Sequence, residues 1–169
     1  MSTIGFDTSN YTTSTAWTDG KTDINVRQIL YVKDGERGIR QSDGVFQHMK
    51  LMPVMYEKLS EQIDFKDVKA VGVSTRPRCV DGSYMPVFLA GEGYAKVVAD
   101  TLGVPLYEFS HQDGHIMAGI YSSGSFELLE NDFISVHLSG GTTEILKSRY
   151  NGFNFNNKII GGSKDISAG

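Results

Sequence analysis

This chain of 169 residues has few cysteines and prolines, and its net charge is small. The single cysteine, Cys79, excludes an intramolecular disulfide and favours a reducing compartment. The net charge of -4 lacks the basic excess that is typical of general nucleic-acid binders. No apolar run reaches the length of about 18 residues that a membrane span needs, and the first residues do not read as a signal peptide. We therefore expect a soluble cytoplasmic protein.

Apolar residues make up 40% of the chain and charged residues 21%, as in an ordinary globular domain. Apolar periodicity and turn residues predict the secondary structure. The expected elements are strands at 3–6, 13–17 and 24–32, a helix at 45–63, a strand at 68–74, a helix at 87–102, a strand at 106–109, a helix at 111–121 and a hairpin of 134–138 with 143–147. Alternating strands and helices predict an α/β fold, in which a mixed sheet has flanking helices. We expect residues 1–169 to form one lobe.

The first long helix carries two signals about its shape. Pro53 falls inside the apolar stripe and predicts either a kink or a break into two shorter helices. Ser42 and Asp43 are the expected N-cap residues. His48 lies on or near the apolar stripe, and we interpret it as a partly buried core histidine.

Two histidines four residues apart, His111 and His115, are the most informative feature of the chain. In a helix they lie one turn apart on one face, where two imidazoles can bind one transition metal. Two ordinary surface histidines are the alternative interpretation. Asp113 between them is expected to point away from the metal side, and either holds a neighbouring ligand or has no role.

Three polar or glycine-rich turns could approach a phosphate. Asp7–Ser9 follows the first strand, where hydroxyls and backbone N–H groups can hold phosphate oxygens and Asp7 can reach a hydrated Mg²⁺. Ser139–Thr143 separates two strands, and Gly161–Ser163 is followed by Asp165, which could accept a ribose hydroxyl. A plain hairpin turn is the favoured alternative for Asp7–Ser9, and a turn or a helix cap explains the other two strings at least as well.

Two further features have competing interpretations. His137 alternates with Val136 and Leu138, so it is expected on the opposite face of its strand. The corner Arg76-Pro77-Arg78 is either a solvated loop or a contact for an anionic ligand.

Taken in order, these strings resemble the tRNA threonylcarbamoyladenosine transferases, formerly called O-sialoglycoprotein endopeptidases or glycoproteases. Ile4–Ser9 resembles the opening "GIETS" of that family, and His111–His115 resembles its HxEGH metal motif. His137–Thr143 resembles its "VSGGHT" loop, and Gly161–Gly169 resembles its "GETLDDAAG" string. Four motifs in the correct order make the resemblance specific, and it spans nearly all of the chain.

The resemblance implies the two-lobed fold of the actin-like, sugar-kinase and heat-shock ATPase superfamily, in which each lobe is ribonuclease-H-like. This chain would be the N-terminal lobe, inactive alone, with a second lobe following. The resemblance implies that His111 and His115 bind one divalent metal, iron or zinc, with a third ligand from the second lobe. It also implies ATP with Mg²⁺ or an acyl-adenylate as ligand, tRNA as the acceptor and a paralogous subunit that docks through helices. The residues expected to contact substrate or nucleotide are Asp7, Thr8, Ser9, Ser139, Gly140, Gly141, Thr142 and Asp165.

Four departures from the family pattern indicate a divergent member. Arg76–Val80 replaces the family's "GPGL" loop, and Asp113 replaces the glutamate of the metal motif. Thr142 stands where the family has a histidine, and Asp7 where it has a glutamate.

Three functions compete at this point. The first is a metal-dependent transferase lobe, and the second is a non-catalytic paralogue that dimerises with a catalytic subunit. The retained His111 and His115 argue against the second, because that paralogue lacks them. The third is a metal hydrolase, which ranks last because no HExxH arrangement supplies a general base.

Overall fold

The computed structural model describes residues 1–36, 38–139 and 142–163. The chain divides into two compact units, Met1–His111 and Gln112–Gly169. The five strands of the first unit form one sheet, and the three strands of the second unit form another. Whether both units belong to one lobe of a larger protein stays a prediction.

The first unit is a five-stranded mixed sheet with two long helices. Its elements are β1 (Ser2–Asp7), β2 (Thr12–Thr18), β3 (Asp23–Ile29), α1 (Gln41–Ser60), β4 (Val68–Arg76), α2 (Phe88–Leu102) and β5 (Leu106–Ser110), with a short 3₁₀ turn at Phe65–Asp67. The strand order is β3-β2-β1-β4-β5. β1, β2 and β3 pair antiparallel, whereas β1, β4 and β5 pair parallel. The predicted mixed α/β sheet is therefore confirmed.

Alternation along the central strands builds the core of this unit. Ile4 and Phe6 on β1 and Val71 and Val73 on β4 are buried, as period-2 strands that pack against helices require. The buried cluster is completed from the helices by Met52, Leu59, Ala95 and Ala99. α1 contacts β2 and β3, and α2 contacts β4 and β1. The two helices thus cover different strands of the same sheet.

Helix α1 differs from its prediction at its start and at Pro53. It begins after Arg40, which makes no side-chain cap, so the expected caps Ser42 and Asp43 are wrong. The helix runs unbroken through Pro53, so two shorter helices are excluded. Buried Met52 and Met55 anchor the helix on both sides of the proline, and this packing offsets the lost backbone hydrogen bond.

The second unit consists of one helix and a three-stranded antiparallel sheet. α3 (His111–Ser123) starts at the last residue of the first unit, and a 3₁₀ segment follows at Phe126–Glu130. The strands are β6 (Phe133–Ser139), β7 (Thr142–Tyr150) and β8 (Phe155–Gly162), in the order β6-β7-β8. The core of this unit includes Ile120, Leu146 and Phe155. No helix among the described residues has the length and apolarity of a membrane span.

Strand β8 was not predicted, and it corrects the interpretation of Gly161–Ser163 as a turn. Gly161 pairs with Ile145 and Gly162 pairs with Glu144 in a ladder that contains a bulge. A Cβ atom on Gly162 would lie 2.7 Å from the Thr143 carbonyl oxygen. The glycine is therefore required by a close approach between two strands and not by a turn.

Candidate metal and ligand site

The parallel strands of the first unit bring polar side chains to one edge of the sheet. Asp7 ends β1, Arg76 ends β4, and Ser110 ends β5 directly before His111. Because β1, β4 and β5 run parallel, these residues share the carboxyl edge of the sheet. This edge is where open α/β sheets bind their ligands. The chain order of strands therefore assembles the candidate site.

A short hydrogen bond joins Asp7 to His111 at this edge. The His111 Nδ1 atom lies 2.8 Å from Asp7 Oδ2, and the two side chains are 29% and 24% exposed. The second carboxylate oxygen, Oδ1, accepts a hydrogen bond of 2.7 Å from the backbone N–H of Ser9. Both oxygens of Asp7 are thus engaged, and the carboxylate is held in one orientation.

The pKa of Asp7 shows how strongly this arrangement favours the carboxylate. Burial raises the pKa of the group, but the hydrogen bond and charge of His111 oppose burial. Hydrogen bonds from Ser74 and Ser9 act in the same direction, and the net pKa is about 2. Asp7 is therefore ionised at neutral pH and accepts the Nδ1–H of His111. This fixes the imidazole tautomer in which Nε2 carries the lone pair that can bind a metal.

His115 lies one helical turn beyond His111 on α3, and the structure places a third histidine beside it. The ring centroids of His115 and His137 are 5.6 Å apart, with an angle of 40° between the planes. His137 is half-buried, whereas Val136 and Leu138 are exposed, so its predicted face is confirmed. The sequence pattern predicted this face for His137 without assigning the residue to the site. The signal that could have drawn attention to His137 is its place in the strand alternation, on the face opposite Val136 and Leu138.

The imidazoles fit a metal in their chemistry, but they do not complete a site. The tautomer of His111 is set by a carboxylate, which is the usual arrangement behind a metal-binding histidine. Residues 1–36, 38–139 and 142–163 contain no group of three or more His, Cys, Asp or Glu side chains placed to hold a metal ion. Metal binding by His111 and His115 therefore stays a prediction.

Thr8 and Asp113, two residues that the sequence analysis singled out, make hydrogen bonds that give each of them a structural role. The Thr8 hydroxyl is fully buried; it donates to the Val87 carbonyl at 2.8 Å and accepts from the Gly91 N–H at 3.0 Å. It therefore ties the end of β1 to the start of α2, and only the backbone of Thr8 remains as a candidate ligand contact. Asp113 is buried, and its Oδ1 accepts a hydrogen bond of 3.3 Å from the Phe155 N–H. The aspartate joins α3 to β8.

The remaining predicted residues are only partly described. Ser139 ends β6 and Thr142 begins β7, and the two backbones pair across the strands. The side chains of both, and all of Gly140, Gly141 and Asp165, lie outside the described residues. Their role in binding an adenylate stays a prediction. The structure thus joins Asp7, Ser9 and His111 in the first unit.

The comparisons with known proteins agree with this arrangement of motifs. The sequence profile of the tRNA N6-adenosine threonylcarbamoyltransferases matches residues 35–166. The chain belongs to this family. A family member from Christiangramia forsetii is 31% identical over 121 residues, which cover 70% of this chain and 33% of that protein. One from Pyrobaculum calidifontis is 27% identical over 98% of this chain and 45% of its own length. The chain therefore spans between a third and a half of these family members.

Two solved structures share the fold at low identity. YeaZ from Pseudomonas aeruginosa superposes with a TM-score of 0.54 at 11% identity, over 96% of this chain and 66% of YeaZ. The ethanolamine utilization protein EutJ from Carboxydothermus hydrogenoformans gives a TM-score of 0.50 at 18% identity, over 96% of this chain and 53% of EutJ. Both neighbours have the actin-like ATPase fold. The fold class implied by the family motifs is therefore confirmed.

Proposed function

We propose that this chain forms part of a metal-dependent threonylcarbamoyl transferase that modifies an adenosine of tRNA. The observation that carries the proposal is the hydrogen bond of 2.8 Å between Asp7 and His111, in a chain of the threonylcarbamoyltransferase family. It supports the proposal because a carboxylate-oriented imidazole, followed one turn later by His115, is a pair of donors suited to zinc or iron.

Each residue in the site has a defined task under this proposal. Asp7 stays ionised and orients His111, and Ser9 and Ser74 hold the carboxylate in turn. His111 and His115 hold one divalent metal, and His137 lies beside His115. A bound metal would act as a Lewis acid that polarises the carbonyl to be transferred. The loop at Ser139–Thr142 would contact an acyl-adenylate, or ATP with Mg²⁺.

The test is the modification of tRNA in the cells that produce the protein. Deletion of the gene is expected to lower the threonylcarbamoyladenosine content of bulk tRNA, measured by mass spectrometry of nucleosides. The wild-type gene should restore this content, whereas the variant D7N combined with H111A should not. An unchanged nucleoside content after deletion rejects the proposal. Peptide cleavage by the purified protein, in place of nucleoside modification, would instead support the older hydrolase description.

The alternative is a non-catalytic paralogue that dimerises with a catalytic subunit. YeaZ proteins are paralogues within this family. The first unit exposes large apolar side chains on both of its helices, Phe46 and Met49 on α1 and Leu89 and Val97 on α2. These residues favour a protein partner at the helices, and a transferase can also use such a partner. Metal binding through His111 and His115 distinguishes the transferase from the non-catalytic paralogue, because only the transferase requires the metal. We place either protein in the cytoplasm, as its lone cysteine predicts.

A further inference from the structure

The guanidinium of Arg76 carries a charge without a carboxylate partner in the described part of the chain. Arg76 is partly buried at the end of β4, where its Nη1 donates to Thr75 Oγ1 at 3.1 Å. Its Nη2 lies 3.8 Å from Cys79 Sγ. Neither Asp7 nor Asp81, which lies on the same loop, forms an ion pair with it. A charge that is partly withdrawn from water without a counter-ion is unfavourable unless an anion completes its environment.

The register of the sheet places this charge beside the candidate site. Arg76 pairs with Ser110 across β4 and β5, and Ser110 directly precedes His111. Ser74, two residues earlier on the same strand, hydrogen-bonds Asp7. Arg76 therefore lies at the same carboxyl edge of the parallel strands as the Asp7–His111 pair.

The loop that follows Arg76 is closed by local hydrogen bonds. The Arg78 N–H donates to Ser83 Oγ at 3.0 Å, and the Ser83 N–H donates to the Val80 carbonyl at 3.1 Å. Pro77 restricts the backbone between the two arginines, and Gly82 adopts a φ of 76° that closes the turn. The corner is thus pre-organised, which lowers the cost of binding a ligand.

We propose that Arg76 binds a phosphate group of the substrate. A guanidinium offers paired donors that match phosphate oxygens, and its positive charge suits an anionic group. This corner replaces the family's "GPGL" loop, so the assignment is a property of this chain. The inference deepens the proposed function, because it names a ligand group for the same site.

The experiment is a titration of the metal-free 169-residue chain with inorganic phosphate at constant ionic strength. The measured signals are the backbone amides of Arg76, Arg78 and Ser110 in nitrogen-15 NMR spectra. R76Q should weaken binding at least about tenfold, since a hydrogen-bonded charge is lost. R76K should weaken it less, because the charge remains without the paired donors. The matched control is K69Q, which removes the same charge from the exposed start of β4 and should bind as the wild type does.

Parallel titrations with AMP and with a short RNA stem-loop identify the source of the phosphate. The ligand that binds more tightly than inorganic phosphate is assigned as that source. The inference is overturned if R76Q binds phosphate as the wild type does, if K69Q weakens binding equally, or if the wild type shows no shifts at millimolar phosphate. Chelator is present throughout, so the phosphate titration does not depend on metal binding. A failure to bind metal would contradict the proposed function but would leave the phosphate result unaffected.

Discussion

Asp7 is the residue on which the candidate site depends. Its carboxylate links the end of β1 to the first residue of α3, and its pKa of about 2 keeps it ionised. From its position after a strand, we expected Asp7 to contact phosphate or Mg²⁺. The structure shows that one of its oxygens hydrogen-bonds His111, which the sequence could not predict because 104 residues separate the two. A contact of Asp7 with phosphate or Mg²⁺ stays a prediction.

The first prediction concerns the effect of Asp7 on metal affinity. D7N keeps the size of the side chain but removes the charge that fixes the His111 tautomer. We expect a loss of zinc affinity of about 10- to 100-fold, which is the usual effect of removing such a carboxylate. Competition with a chromophoric chelator measures the dissociation constant. D43N, an exposed aspartate at the start of α1, is the control and should retain the wild-type affinity. Equal affinity in D7N and the wild type contradicts this role for Asp7.

His48 gives a prediction about pH. It is fully buried, and its Nδ1 lies 2.7 Å from Thr13 Oγ1. Burial lowers its pKa to about 4 from an ordinary 6.5, although the charge of Asp7 acts in the opposite direction. Between these two pH values the unfolded chain binds a proton that the folded chain does not. Stability should therefore fall by about 3 kcal/mol as the pH drops from 6.5 to 4.

H48N tests this assignment by chemical denaturation at a series of pH values. The variant should lose most of the pH dependence in this window, whatever its stability at neutral pH. Asp7 acts in a separate window: its stabilisation is complete above pH 3.8 and is lost as the pH falls through about 2. That second loss should persist in H48N. An unchanged slope between pH 6.5 and 4 would show that His48 is not the group responsible.

At the level of elements, Thr8, which directly follows β1, makes a close contact with α2. A Cβ atom on Gly91 would lie 2.8 Å from the Thr8 hydroxyl oxygen, whereas one on Gly93 would meet nothing within 4 Å. Both glycines lie inside α2, so they form a matched pair. Of these two positions, the structure requires glycine only at Gly91.

We predict opposite effects of alanine at these two positions. G91A should destabilise the chain by about 1–3 kcal/mol, because α2 must move away from β1. G93A should stabilise it by about 0.5–1 kcal/mol through the higher helix propensity of alanine. Free energies of unfolding from urea titrations measure both. If G91A is as stable as G93A, the close contact at Thr8 is absent.

The elements themselves were largely predictable, because most of them carry a clear period. β1, β2 and β4 follow the expected alternation or apolar run, and Gly103, with a φ of 65°, ends α2 where the sequence placed a stop. β8 was missed because its run Asn156–Lys158 is polar and its last two residues are glycines. The start of α1 was misplaced because good cap residues at Ser42 and Asp43 lie inside the helix.

The family was predictable from the sequence, but the contacts within the candidate site were not. The four ordered motifs led to the correct family, and the spacing of His111 and His115 made them candidate metal ligands, which stays a prediction. The pairing of Asp7 with His111 and the approach of His137 to His115 depend on strand order and register. A single sequence does not encode these in any local pattern.

On the scale of the whole molecule, the division at His111 has a testable consequence. The first unit has its own five-stranded sheet and its own buried cluster. We expect a fragment of residues 1–111 to fold and to unfold cooperatively in urea, followed by circular dichroism. A fragment of residues 1–102, which lacks β5, should be clearly less stable, because β4 loses its parallel partner. A fragment 1–111 without a cooperative transition contradicts an independent core.

The most direct measurement of the central claim is a cobalt(II) titration of the protein purified from the cells that produce it and freed of metal, followed by the visible absorbance of the bound metal. The wild type is expected to bind one equivalent through His111 and His115. The double variant H111A with H115A is expected to show no bound-metal absorbance, while its circular dichroism remains that of a folded chain. Failure of the wild type to bind cobalt, or unchanged binding by the double variant, would contradict the account.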